Sequence, residues 1–160
     1  MRFTIACIGR MKAGAEKQLC DRYIERAVKT GRSVGITAVT VSEHAESRQQ
    51  RVPDRKSDEA QVMLSGLTPG AKLVVLDEAG RGMSSSEFCN MLARWRDDGI
   101  PEVVFAIGGA DGHGEAVLTR ANKRLALGPM TWPHQIARVL LAEQIYRATT
   151  ILTGHPYHRE

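Results

Sequence analysis

Four short, nearly continuous apolar runs constrain this chain more than any other feature: Phe3 to Gly9, Val34 to Val41, Lys72 to Asp77 and Val103 to Ile107. Runs of this length without polar alternation suit strands buried on both faces, the usual condition of a parallel sheet. Parallel neighbours need long crossovers, and the intervening stretches supply helices. Over Gly14 to Thr30, Leu19, Tyr23, Ile24, Ala27 and Val28 recur at helical spacing, with Gly31 read as the stop. Ser57 followed by Asp58 and Glu59 reads as an N-cap with acids in the first turn, and Gly66 with Pro69-Gly70 closes that second helix. Ser84 with Glu87 offers a capping box for a third, which carries Phe88, Leu92 and Trp95 on one face and ends near Gly99 to Pro101. A last helix over Gln135 to Leu152, ended by Gly154, has an apolar surface wide enough to require deep burial or a second subunit. The expected fold class is α/β, a mostly parallel sheet with helices on both faces, in one domain over residues 1–160. Ligands of such folds bind beyond the strand carboxyl ends.

With 160 residues the chain can bury roughly 70% of its unfolded surface in one core. Its 42% hydrophobic and 25% charged content excludes disordered, collagenous and disulfide-dense classes. No apolar run approaches the roughly 18 residues of a membrane span, and Phe3 to Gly9 is too short for a secretory leader, so a cytoplasmic protein without membrane contact is expected. Cys7, Cys20 and Cys89 form an odd, scattered set that suits buried thiols and offers no metal framework. The net charge of +4 is unevenly distributed: residues 120–160 hold six basic side chains against Glu143 and Glu160, and the rest of the chain is balanced. That asymmetry fits either a polyanion contact by the C-terminal part or a solvated basic face. Ser42 to Lys56, with Arg48, Arg51, Arg55 and Lys56, shows no periodicity and reads as a mobile loop, its cations either solvated or a second RNA contact.

After the fourth run, Ile107-Gly108-Gly109-Ala110-Asp111-Gly112-His113-Gly114 packs four glycines into seven residues. It misses the dinucleotide pattern, and Glu115 stands where a Walker loop needs Lys, so phosphate cradles are excluded. More glycines than one tight turn requires point to a backbone that meets a ligand. His155 and His158 lack a third ligand of recognisable spacing, and Arg159 opposes a cation, so no metal is expected. No Gly-x-Ser-x-Gly elbow supports hydrolase chemistry. The terminal His155-Pro156-Tyr157-His158-Arg159-Glu160 suits stacking and hydrogen bonding to RNA better than a frayed end.

The glycine loop, Met130-Thr131-Trp132-Pro133-His134-Gln135, Arg138-Val139, Glu143 to Ala148 and the terminal His-Pro-Tyr-His-Arg together resemble the ribosomal RNA large subunit methyltransferase H family, a SPOUT-type group. The resemblance spans the chain and is tightest from Ile107 onward. It implies a C-terminal trefoil knot, a homodimer, S-adenosyl-L-methionine as methyl donor, and N3 of a pseudouridine in 23S rRNA of the ribosome as acceptor. By position it assigns the donor to Leu76, Gly108, Leu127, Gly128, Pro129, Met130, Thr131 and Trp132; this chain has Trp132 where the family more often has Phe or Leu. Candidates for acceptor chemistry are His134, Arg138, Arg147, Tyr157, His158 and Arg159: an Arg could stabilise the acceptor anion while a His took or relayed its proton. A non-catalytic RNA-binding or ribosome-assembly protein, and a SPOUT methyltransferase acting on tRNA, are the alternatives.

Overall fold

The computed structural model describes residues 1–158. The apolar runs become strands of a five-stranded, all-parallel sheet ordered β2-β1-β4-β3-β5. In chain order the elements are β1 (Arg2–Ile8), α1 (Ala15–Gly31), a 3-10 turn (Arg32–Val34), β2 (Ala38–His44), α2 (Val52–Ser65), β3 (Lys72–Gly82), α3 (Ser85–Asp97), β4 (Glu102–Ile107), α4 (Glu115–Arg120), β5 (Lys123–Ala126) and α5 (His134–Thr153). Side chains alternate across a strand, so each buried strand feeds two cores. From β4, Val103, Phe105 and Ile107 meet α1, α3 and α5, whereas Val104 and Ala106 meet α2 and α4. Helices therefore cover both faces, as the uninterrupted apolar runs require. The wide apolar surface of α5 is largely accounted for within one chain, because α5 packs between α1 and α3 and buries Leu141, Ala142, Ile145, Tyr146 and Ala148.

Several boundaries differ from the sequence reading. The second strand begins at Ala38 rather than Val34, because Val34 closes a 3-10 turn and Gly35 takes a left-handed conformation at φ 81°. The strand then continues through polar Ser42, Glu43 and His44, paired with β1 at the sheet edge where half-exposure tolerates them. Gly31 is not the left-handed stop of α1. A Cβ there would stand 2.8 Å from Ile36 and 3.2 Å from Thr149, so its bareness serves the close approach of α1 to its neighbours. The segment Ser42 to Lys56 is not one loop: β2 ends at His44, and α2 opens at Val52, with Pro53 in its first turn, rather than at Ser57. Asp58 and Glu59 are spent on capturing the preceding loop, taking hydrogen bonds from the Ser47 hydroxyl (2.8 Å) and amide (3.0 Å). The capping box at Ser84 and Glu87 is present in both directions, 3.1 and 2.8 Å, and Gly154 ends α5 at φ 67°.

Two short elements escaped the sequence reading, α4 and β5. Only Leu125 of β5 is buried, and Lys123 and Arg124 mask the strand. Asn122 docks it: its amide donates to the Leu73 carbonyl and its side-chain oxygen accepts from the Leu73 amide, both at 2.8 Å. Leu76 and Arg81 of β3 both pair with Leu125, so residues 77–80 bulge between them. Where the chain returns, a Cβ on Gly80 would lie 2.8 Å from the Arg124 and Leu125 backbone, so only glycine allows this crossing.

At the opposite end of the sheet the Glu102 side chain, 5% exposed, accepts hydrogen bonds from Arg2 (3.1 Å), Thr4 (2.6 Å) and Thr68 (2.6 Å). Burial alone would raise this carboxyl, but those donors outweigh it and hold it below the usual carboxylate range. Glu102→Gln is expected to cost about 2 kcal/mol in urea unfolding at neutral pH. The Glu102 contribution is complete above its unfolded value, about 4.3, and is lost as pH falls through its lower folded value. Wild type and variant should therefore converge in acid; a gap unchanged between neutral and strongly acidic pH would contradict this assignment.

Candidate functional site

The order β4-β3-β5 sets the carboxyl ends of β4 and β5 beside the bulge after Leu76 of β3, and all three face one hollow of about 490 Å³. Leu76 and Asp77 come from β3, the glycine loop from β4, and Leu125, Leu127, Gly128, Met130, Thr131 and Trp132 from β5 and the segment before α5. His134 and Ala137 of α5, Leu118 of α4 and Lys56 of α2 also line it. Of the residues nominated for the donor, Leu76, Gly108, Leu127, Gly128, Met130, Thr131 and Trp132 thus converge. Pro129 belongs to the same segment and is exposed without lining the hollow.

The glycine loop is a tight hairpin, with Gly109 and Gly112 bridged and Gly112 at φ 78°. Its glycines serve the protein's own packing as well as any ligand. A Cβ on Gly109 would press on Glu59 at 2.8 Å, and one on Gly114 would stand 2.5 Å from the Lys56 carbonyl oxygen. A Cβ on Gly108 would meet Gly112 and the His113 ring at 3.2 Å. Two further contacts fix the loop. Arg55 donates twice to Asp111, at 2.7 and 3.2 Å, while its remaining nitrogen holds the Gln49 and Gln50 carbonyls. His113 Nε2 lies 3.1 Å from the Leu76 carbonyl, which can only accept, so this nitrogen carries the proton. Burial lowers the His113 pKa below the ordinary imidazole value, against the upward pull of neighbouring carbonyls and Asp77, and the ring is neutral at pH 7.

Charges around the hollow are mostly spent. Burial pushes the Asp77 carboxyl upward, but hydrogen bonds from Arg124 (2.7 Å) and the Ala79 amide (3.1 Å) outweigh it and hold it low. Asp111 is held low by Arg55. Lys56 is the one Lys or Arg lining the hollow, and among the described residues it enters no ion pair. In the sequence it is one of four clustered cations, with nothing local to mark it; α2 carries it to the wall. His113 was likewise passed over as one residue of a glycine-rich stretch.

The residues nominated for acceptor chemistry divide into separate places. His134 lines the hollow. Arg138 does not: its side chain is 8% exposed, ion-paired with Glu43, and donates to the Gly9 carbonyl at 3.2 Å. Glu43 also accepts from the Met11 amide at 2.8 Å, so Arg138 clamps the loop after β1 to α5 rather than offering an open cation. Its buried Nε has no hydrogen-bond partner. Arg147, Tyr157 and His158 gather at the other end of α5. Tyr157 donates to Glu143 at 3.0 Å, Arg147 lies over the Tyr157 ring at 4.9 Å and donates to Glu143, and His158 Nδ1 is 3.5 Å from Arg147. Burial, with hydrogen bonding to Tyr23 and Glu143, raises the Tyr157 pKa, so it stays protonated. From His134 to Arg147 is thirteen residues of helix, about 20 Å at 1.5 Å per residue. Arg159 lies outside the described residues. Part of the C-terminal positive excess is also neutralised by the rest of the chain, since Arg124 pairs with Asp77 and Arg138 with Glu43.

Burial pushes the Cys7 thiol up to about 12, and Cys20 and Cys89 shift the same way, so all three are inert core thiols. Among the described residues no cluster of three or more His, Cys, Asp or Glu could hold a metal, and no helix is long and apolar enough to cross a membrane.

Comparison with known proteins gives a consistent result. A family model described as "Predicted SPOUT methyltransferase" matches residues 1–158. The chain is 52% identical over 159 residues to the ribosomal RNA large subunit methyltransferase H of Brucella anthropi, covering 99% of both proteins. It is 50% identical to the protein of that name from Sinorhizobium medicae, again covering 99% of both, and 49% identical to that from Methylocella silvestris, covering all of both.

Replacing Arg138 would strand Glu43 as a half-buried carboxylate and release the Gly9 carbonyl. Arg138→Ala is expected to lower stability by about 3 kcal/mol, roughly 6–12 °C in thermal melting. An unchanged melting temperature with lost activity would instead make Arg138 an open catalytic cation.

Proposed function

Given that this chain belongs to the SPOUT methyltransferase family, we propose that it methylates ribosomal RNA of the large subunit with S-adenosyl-L-methionine as donor. The finer acceptor is N3 of a pseudouridine in 23S rRNA, as the motif resemblance implies. The observation that carries this reading is the hollow at the ends of β4 and β5 and the bulge of β3, in which backbone and apolar side chains, not a cationic cradle, make most of the wall. A nucleoside bearing a sulfonium asks for such a wall: backbone hydrogen bonds for its ring, aliphatic surface for its arm, and no phosphate site. Leu76, Gly108, Leu127, Gly128, Met130 and Thr131, with the backbone of Trp132, would hold it, and His113 would keep the Leu76 and Gly108 walls at fixed separation.

The bound donor supplies an already activated methyl group, so the protein's work is mainly alignment. The acceptor imide nitrogen must lose its proton, and His134, on the hollow's wall, is the residue proposed to take or relay it. Arg147, Tyr157 and His158 stand too far along α5 to serve the hollow of their own chain. A homodimer in which each tail reaches the other copy's hollow would reconcile the two groups. The trefoil knot that the family resemblance implies fits the close backbone crossing at Gly80. The whole chain would then act as one cytoplasmic domain.

Incubation with labelled S-adenosylmethionine should label 23S rRNA in ribosomes lacking the modification. Label confined to tRNA, or RNA binding without donor binding, would favour the tRNA enzyme or the non-catalytic protein. Gly108→Val should abolish donor binding in calorimetry while the protein still melts cooperatively, because the side chain pushes the His113 ring and Gly112. Deleting Tyr157 to Glu160 should leave donor affinity within about twofold and lower turnover at least about 100-fold; normal turnover would remove the tail from the reaction.

A further inference from the structure

The backbone and aliphatic walls of the hollow account for the donor, but an acceptor must also be held above it, and the rim carries exposed side-chain surface beyond the backbone proposed to hold the donor. Five large apolar side chains are exposed among the described residues, and two of them, Met130 (71%) and Trp132 (41%), stand together on this rim. Trp132 is not loosely exposed. Its indole N–H donates to the Leu127 carbonyl at 3.3 Å, which satisfies its polar edge and ties the ring to the loop that bounds the hollow. What remains is apolar aromatic surface at the mouth of a hollow that Lys56 and His134 also line.

We propose that Trp132, flanked by Met130, is the stacking platform for an unpaired base of the acceptor RNA; this rests on the methyltransferase reading above. A base whose ring nitrogen must approach a donor inside a hollow has to leave its own stack, and in this chain an indole stands where it can regain the lost stacking, at the position where the family more often has Phe or Leu. An aromatic face fixed beside the donor regains it without base-specific hydrogen bonds. The cation on the wall suits the accompanying phosphate, whereas an apolar protein partner would leave Lys56 facing an uncharged surface. The side chain of Trp132 thus serves the acceptor, while its backbone remains available to the donor.

The test compares Trp132→Leu and Trp132→Phe with the wild-type chain on ribosomes lacking the modification, measuring kcat and KM for ribosomes, donor affinity by calorimetry, and oligomeric state by sedimentation. Trp132→Leu should lower kcat/KM for ribosomes roughly tenfold, within the range expected for one lost base stack. Trp132→Phe should restore it to within about threefold, with donor affinity within about twofold in both variants. Full activity of Trp132→Leu overturns the inference. So does a loss confined to donor affinity, which would make the indole a donor wall, or a change in oligomeric state, which would make a second copy its occupant. Failure of the wild-type chain to label rRNA would instead overturn the methyltransferase reading itself.

Discussion

Strand order is the constraint from which the rest of this molecule follows. Because β4, β3 and β5 are parallel and adjacent, the ends of β4 and β5 and the bulge of β3 lie on one edge, and what leaves them must share one space. The sheet is rigid there: Val74, Val75, Val103, Phe105 and Ala106 are fully buried. Flexibility is left only to the loops, and these are tied back. Arg55 holds the glycine loop through Asp111, His113 ties that loop to Leu76, and Trp132 ties the last loop to itself. The hollow is therefore built before any ligand arrives, which reduces the ordering cost of binding.

Much of this architecture was legible in the residues. Three of the four apolar runs announced buried parallel strands, the Val34 to Val41 run led into a half-exposed edge strand that buries only Val39, and the Ser84 and Gly154 caps fixed two helix ends. The glycine loop was visible as a site, although its glycines are needed partly for contacts with Glu59 and Lys56 that no linear pattern reveals. The early start of α2 was hidden because Asp58 and Glu59 imitate first-turn acids while bonding to Ser47. β5 was hidden because an edge strand with one buried residue needs little hydrophobicity when Asn122 supplies its docking. Arg138 looked like an accessible cation since nothing in its helix announces Glu43, which lies ninety-five positions away.

The candidate chemistry resolves into the hollow proposed for the donor and a tail cluster, held apart by the length of α5. Each is internally ordered: the hollow by its loop ties, the tail by Glu143, which receives both Arg147 and Tyr157. Rigid elements at this separation do not meet by small adjustments within one chain, since α5 is packed against α1 and α3 along its length. The homodimer proposed above, with each tail meeting the other copy's hollow, would satisfy both groups.

The most direct measurement mixes two inactive proteins. One copy carries Gly108→Val with its tail intact, and the other has an intact hollow and lacks Tyr157 to Glu160. The account predicts that co-refolding them restores methyl transfer to ribosomes, because a mixed dimer joins one sound hollow to one sound tail. A mixture no more active than its parts would contradict it.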